Sequence, residues 1–126
     1  MHLNPTELDR LTIFTAAELA RRRRAKGWRL NHPEALALIC DEMHEAARGG
    51  ASYEEVVAVG SSVLTEDEVL EGVPELLGTI KIECLFGDGT RVLNVERPIR
   101  LAADAPLPPN TGGFTPPSIG GQGGLP

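Results

Sequence analysis

The fold is decided by residues 64–98, LTEDEVLEGVPELLGTIKIECLFGDGTRVLNVERP, where the hydrophobic period changes from helical to extended. From Ile80 onward apolar and polar residues alternate, which is the two-residue period of a strand with one buried face. The turn residues Gly87–Thr90 follow, and a second alternating run predicts an antiparallel return strand. The inward positions predicted for this β-hairpin are Ile80, Ile82, Cys84, Phe86, Leu93 and Val95.

A capping box opens the same stretch. Thr65 is followed three residues later by Glu68, a pair that can satisfy two free N–H groups at a helix start. We therefore predict a short acidic helix that begins at Glu66. Gly72 and Pro74 are predicted to end it, because glycine permits a left-handed turn and proline lacks an amide donor.

The N-terminal region predicts a long first helix. Asn4, Pro5 and Glu7 give a cap, a first-turn proline and a carboxylate at the third position, and Gly27 is the predicted stop after about Lys26. A helix in a small domain normally packs through its apolar stripe. The stripe predicted here comprises Leu8, Leu11, Thr12, Thr15 and Leu19, with Phe14 and Ala17 on its flank.

Two further helices carry the same signals. Asn31 and Glu34 form a capping box for the second helix, which Gly49–Gly50 ends, and Ser52 and Glu55 form one for the third, which stops near Gly60. Four helices followed by a hairpin predict an α+β fold. A two-stranded sheet is marginal alone, so the hairpin must pack on the helices or pair with another chain. We predict pairing of its exposed edge with a sheet in a partner subunit.

Composition limits the function. The formal net charge of −6 argues against a nucleic-acid-binding protein, since phosphate binding depends on clustered positive charge. Two unpatterned cysteines give no disulfide framework. No run approaches the ~20 apolar residues of a membrane span, and the N-terminus lacks an apolar secretion signal, so a cytoplasmic location is expected. The arginine run Arg21–Arg24 is either a solvated helix end or a docking surface for a partner's carboxylates, with nucleic-acid binding the least favoured alternative.

No residue set predicts catalysis. His2, His32 and His44 are the only imidazoles, and none has the second histidine at helical spacing that a zinc pair requires. Cys40 and Cys84 lie in apolar patterns, where burial raises a thiol's pKa rather than activating it. We therefore predict no catalytic, cofactor-binding or metal-binding residue in this chain.

The C-terminal 25 residues, from 102 to 126, are rich in Pro, Gly and Ala and nearly uncharged. Such a segment cannot bury enough surface to offset its ordering entropy. We predict two regions, a folded domain at residues 1–101 and a linker or tail at 102–126.

Several ordered motifs resemble the γ subunit of bacterial urease. They are the Leu-Thr, Glu-Gly-Val-Pro-Glu, Phe-x-Asp-Gly-Thr and Pro-Ile elements within residues 63–99, together with residues 11–23 and 30–39. The resemblance implies a structural subunit of a nickel-dependent urea amidohydrolase. It also implies that the two nickel ions and their ligands belong to a partner α subunit, and that α, β and γ chains form an (αβγ)3 or larger assembly. The alternative is a γ-like interaction module that stands outside any active urease.

Overall fold

The computed structural model describes residues 5–101. Four helices precede one antiparallel hairpin, so the predicted α+β fold is confirmed. The Asn4 cap and the tail at 102–126 lie outside the described residues. The elements are α1 (Pro5–Ala25), α2 (His32–Arg48), α3 (Tyr53–Gly60), α4 (Val73–Leu77), β1 (Thr79–Phe86) and β2 (Gly89–Glu96).

The capping boxes of α2 and α3 are confirmed. The Asn31 side chain accepts from the Glu34 N–H at 3.0 Å, and the Glu34 carboxylate accepts from the Asn31 N–H at 2.9 Å. Ser52 and Glu55 make the same reciprocal pair at 3.2 and 2.8 Å. These bonds satisfy N–H groups that a helix start leaves free, which fixes where each helix begins.

The predicted helix after Thr65 is wrong beyond its first turn. Residues Glu66–Glu68 form a single 3-10 turn, and the Glu68 carboxylate accepts from the Thr65 N–H at 2.9 Å. The chain then becomes extended, because the Leu30 N–H donates to the Glu68 carbonyl at 3.0 Å and the Leu70 N–H donates to the Leu30 carbonyl at 2.9 Å. This tertiary pairing takes the backbone groups that a longer helix would need.

Gly72 and Pro74 begin a helix instead of ending one. Gly72 is the N-cap of α4 with φ 90°, and Pro74 lies in the first turn. A first-turn proline loses nothing, because N–H groups there have no intrahelical acceptor. Gly72 and Pro74 are therefore start signals for α4.

The hairpin has the predicted buried face. Ile82 lies opposite Leu93, and Phe86 lies opposite Gly89 at the turn. The inward side chains are buried, apart from the half-buried Phe86. The hairpin packs against α2 and α3 of its own chain, with Cys84 and Val95 in the same core as the α2 residue Met43. Packing on the helices is therefore the alternative that the structure shows, and strand addition to a partner stays a prediction.

The apolar stripe predicted for α1 is its outer face, which corrects the expected packing. Ala17 and Ala20 are fully buried, whereas the predicted stripe is exposed. Two arginines on the inner side, Arg10 and Arg21, bind carboxylates of α2. Because alanines allow close approach and arginines reach the α2 carboxylates, the side of α1 poorer in large apolar residues faces the core.

Candidate interaction surface of the first helix

The outer face of α1 presents large apolar side chains to solvent. Leu8, Leu11 and Leu19 are 52%, 49% and 43% exposed, and Phe14 is 44% exposed. The steps of three residues from Leu8 to Leu11 and of eight from Leu11 to Leu19 place the three leucines along one side of the helix. We call this side, with Thr12 and Thr15, the α1 stripe. Contiguous apolar residues at this exposure mark a surface for contact with another protein.

Two hydroxyls within the α1 stripe are already satisfied. The Thr12 hydroxyl donates to the Leu8 carbonyl at 3.0 Å, and the Thr15 hydroxyl donates to the Leu11 carbonyl at 2.9 Å. A partner can therefore cover this face without leaving either hydroxyl unpaired, a loss that would cost about 1–3 kcal/mol each. The stripe is suited to a dry, apolar contact.

The inner face of α1 is tied to α2 by an ion-pair network. Asp41, only 1% exposed, accepts from Arg10 at 2.8 Å and from Arg21 at 2.6 Å. Arg21 also donates to Glu42 at 2.7 Å, and Arg10 donates to Glu45 at 3.0 Å. The network holds α1 in one orientation, with its leucines outward.

Three of the four arginines in the run Arg21–Arg24 form ion pairs within the chain. Arg21 belongs to the network just described, Arg23 pairs with Glu34, and Arg24 pairs with Glu68 at 2.6 Å. The prediction that the whole run is either a solvated end or a docking patch is therefore wrong for these three residues. Arg22 makes no ion pair within residues 5–101, so it alone of the four remains for a partner.

Within residues 5–101 Cys40 and Cys84 interact electrostatically in the core, but no histidine or cysteine there belongs to a group of three that could hold a metal ion. His2 lies outside the described residues, His32 is the first residue of α2, and His44 is half-buried on the same helix. Burial, with the nearby Arg10 guanidinium, lowers the pKa of His44 to about 4. Burial raises the pKa of the Cys40 thiol to about 12.

Cys84, like Cys40, is a buried thiol. Burial raises the pKa of the Cys84 thiol to about 11, and both cysteines are free. Across residues 5–101, no three His, Cys, Asp or Glu side chains are grouped so that they could hold a metal ion. In the same range no helix is long and apolar enough to cross a bilayer.

A second apolar surface lies on the outer face of the hairpin. Leu85 is 68% exposed and Val92 is 50% exposed, and they lie on adjacent strands near the turn. The Tyr53 hydroxyl donates to the Val92 carbonyl at 3.4 Å, which links α3 to β2. The strand alternation in the sequence already placed Leu85 on the face opposite the buried one, and its exposure confirms that position.

The fold defines a small α+β domain with exposed apolar side chains on α1 and on the outer face of the hairpin. The family model described as "Urease, gamma subunit" matches residues 1–99. The chain therefore belongs to the urease γ subunit family, and the resemblance noted from its motifs is confirmed.

Relatives of known name support the same family. The chain is 54% identical over 100 residues to "Urease subunit gamma/beta" of Pseudomonas syringae pv. syringae (strain B728a), covering 79% of this chain and 43% of that protein. It is 50% identical over 100 residues to "Urease subunit gamma" of Corynebacterium kroppenstedtii, covering 79% of this chain and 99% of that protein. The chain thus spans less than half the length of the gamma/beta relative and nearly all of the γ relative.

Proposed function

We propose that this chain is the non-catalytic γ subunit of a urease, the nickel-dependent enzyme that hydrolyses urea to ammonia and carbon dioxide in urea catabolism. The match to the γ subunit family over residues 1–99 carries the proposal. The relative from Corynebacterium kroppenstedtii, which the chain covers almost completely, is itself named a urease γ subunit.

The proposed partners are a catalytic α subunit and a β subunit, in a cytoplasmic (αβγ)3 or larger assembly. The exposed α1 stripe and the exposed Leu85 and Val92 supply apolar surface for such contacts. A domain of ~100 residues buries a limited share of its surface, so added burial against partners would contribute substantially to its stability.

The proposed division of labour leaves the chemistry to the α subunit. The two nickel ions would be held by that partner, and this chain would supply no catalytic, cofactor-binding or metal-binding residue. The raised pKa of both thiols supports this, because a protonated thiol is a poor nucleophile and metal ligand.

The proposed boundary between domain and tail falls after Leu101. The Arg100 N–H donates to the Leu64 carbonyl at 3.1 Å, and the Glu66 N–H donates to the Arg100 carbonyl at 2.7 Å. These bonds hold the backbone to the domain up to residue 100. Truncation after Leu101 should leave the unfolding midpoint unchanged, and a lower midpoint would show that residues 102–126 belong to the domain.

Co-expression tests the assignment. The full chain, tagged, is expressed with urease α and β chains and the nickel-insertion proteins from one organism, and the purified assembly is weighed by native mass spectrometry. We expect equal copies of the three chains, nickel in proportion to α, and urea hydrolysis. The chain purified alone should neither hydrolyse urea nor retain nickel.

Two outcomes would overturn parts of the proposal. Failure of this chain to enter a complex that forms with a known γ subunit in the same host would favour the stand-alone interaction module. Urea hydrolysis by the purified chain alone would refute its non-catalytic role.

A further inference from the structure

We propose that the free edge of β1 pairs with the same edge of a second copy of this chain, which gives a four-stranded antiparallel sheet across a two-fold axis. The occupant of the edge is therefore a second copy, and the strand order is β2-β1-β1-β2. The proposal concerns the chain by itself and does not rest on the urease assignment.

The register of the hairpin shows which backbone groups of β1 point away from β2. Phe86 and Gly89 flank a two-residue turn, and in such hairpins this closing pair is hydrogen-bonded. Hydrogen-bonded pairs recur at every second residue, so the even-numbered residues of β1 bond to β2 and the odd-numbered ones face the outer edge. The Arg97 N–H donates to the Gly78 carbonyl at 2.7 Å, as this alternation requires.

The two edges of the hairpin differ in what they bond. At the β2 edge the Val92 carbonyl accepts from the Tyr53 hydroxyl at 3.4 Å. At the β1 edge the backbone N–H and carbonyl groups of Lys81, Glu83 and Leu85 have no hydrogen-bond partner among residues 5–101. A row of unpaired backbone groups is a template for another strand. The edge of β1 is therefore the one open to a second chain.

The strand β1 lacks the backbone features that usually protect an edge. It is eight residues long, contains no proline, and pairs with β2 in an unbroken register without a bulge. A two-stranded sheet is marginal in water, whereas three or more strands with an apolar face can be stable. Pairing of two β1 edges would therefore strengthen the sheet of both copies.

Two charged side chains make β1 complementary to a second copy of itself. Lys81 and Glu83 are both exposed on the outer face of the hairpin. When two antiparallel β1 strands cross at Ile82, Lys81 of each copy lies directly opposite Glu83 of the other, so two cross-strand ion pairs form. Within the described part of the chain neither side chain has an ion-pair partner of its own.

Other registers lose this complementarity. A crossing at Lys81 places two lysines opposite each other, and a crossing at Glu83 places two glutamates opposite each other. Like charges in directly opposite positions destabilise a sheet. A strand shift of one residue would set the buried face of one copy against the exposed face of the other. The crossing at Ile82 is therefore the favoured register.

The area of contact limits the strength of the dimer. One strand edge per copy is smaller than a standard interface, so the dissociation constant should be on the order of 100 μM.

Sedimentation equilibrium of the full chain tests association and register together. Over roughly 10–500 μM, a range set by the expected weak contact, the average mass should rise from 13.5 kDa toward twice that value. Lys81→Glu and Glu83→Lys should each raise the dissociation constant about tenfold or more, because both cross-strand pairs then carry like charges. The double variant restores two opposite-charge pairs, so it should associate as the unmodified chain does.

Matched variants control for net charge and folding. Glu96→Lys changes the net charge as Glu83→Lys does, but Glu96 is exposed on β2, away from the β1 edge. It should leave the dissociation constant nearly unchanged. The double variant of Lys81 and Glu83 keeps the net charge of −6. Circular dichroism of the dilute single variants should match that of the unmodified chain, because both substituted residues lie opposite uncharged residues of β2.

Amide hydrogen exchange, followed residue by residue, tests which backbone groups pair. The amides of Lys81, Glu83 and Leu85 should exchange rapidly in the dilute chain, and their protection should rise with protein concentration. The amides of Ile82 and Cys84 bond to β2 in both states, so their protection should depend much less on concentration.

Three results would overturn the proposal. The first is a constant mass of 13.5 kDa at all concentrations. The second is a dimer that the single charge reversals weaken and the double variant fails to restore. The third is protection of the Lys81, Glu83 and Leu85 amides that appears only when urease α and β chains are added, which would assign the β1 edge to a strand of a partner subunit.

Discussion

Replacement of Asp41 by asparagine tests whether ion pairs hold α1 on α2. The Asp41 side chain is 2% exposed and accepts from both Arg10 and Arg21, whose side chains are 28% and 27% exposed. Asparagine keeps the shape and removes the charge. Both guanidinium groups then lose the buried negative charge, and one of them faces an amide NH2 group that cannot accept its hydrogen bond.

The expected cost follows from what the arginines retain. Breaking a fully buried ion pair costs about 3–5 kcal/mol. Here Arg10 keeps Glu45 and Arg21 keeps Glu42, and both arginines reach water, so the cost should fall to about 2–3 kcal/mol. For a domain whose total stability is about 5–15 kcal/mol, this is a large fraction.

Urea unfolding of the full chain, followed by circular dichroism, measures the effect. With a slope near 1 kcal/mol per molar urea, the midpoint for Asp41→Asn should fall by about 2–3 M. Glu45→Gln is the control, since Glu45 is 59% exposed and its pair with Arg10 should contribute under about 1 kcal/mol. Equal midpoints for the two variants would refute the view that Asp41 is the centre of the α1 attachment.

Three further predictions concern buried groups. Because the folded-state pKa of His44 is lowered from 6.5 to about 4, the unfolded chain binds the proton first as pH falls, so stability should drop between pH 7 and 5. The full shift corresponds to about 2 kcal/mol, and solvent screening of this half-buried side chain should reduce the drop to about 1 kcal/mol. The variant His44→Gln should remove that drop in urea titrations. A Cβ at Gly60 would lie 2.7 Å from a buried methionine sulfur, so Gly60→Ala should lose about 1 kcal/mol, while Gly87→Ala, with open space, should change the midpoint little. Cys40 and Cys84 should react with a thiol reagent at pH 8 only when the chain opens, so the reaction should be faster in mildly destabilising urea than without urea. Equal reaction rates under the two conditions would contradict this prediction.

The elements predicted well from sequence depend on neighbours close in the chain. A capping box such as Asn31 with Glu34 is complete within four residues, and strand alternation such as Ile80 and Ile82 needs only the period of the pleat. The turn after Glu68 was mispredicted because the extended backbone there is set by pairing with Leu30, far away in sequence. A pattern within a few residues contains no information about this pairing with a distant part of the chain.

The orientation of α1 was mispredicted for a different reason. Its leucines form a recognisable stripe, yet the helix packs through Ala17 and Ala20. A signal for this was present: Arg10 and Arg21 share a face with these alanines, and α2 carries carboxylates at Asp41, Glu42 and Glu45. The α1 arginines and the α2 carboxylates become partners only when the two helices pack together. The periodicity of α1 alone therefore could not show which of its faces is buried. The two alternatives left open for Arg21–Arg24, a solvated helix end or a docking surface, missed the ion pairs of Arg21, Arg23 and Arg24 for the same reason.

The leucines of α1 face outward because its arginines face inward. Had Leu11 and Leu19 packed on α2, the α2 carboxylate Asp41 would be buried without a guanidinium partner, at a cost of several kcal/mol. Pairing Asp41 with Arg10 and Arg21 removes that cost and leaves the leucines in water, where each forgoes part of the ~1.5–3 kcal/mol that burial would contribute. The leucines would contribute this free energy of burial when another protein surface covers the helix. The charge pattern inside the domain therefore creates the apolar surface outside it.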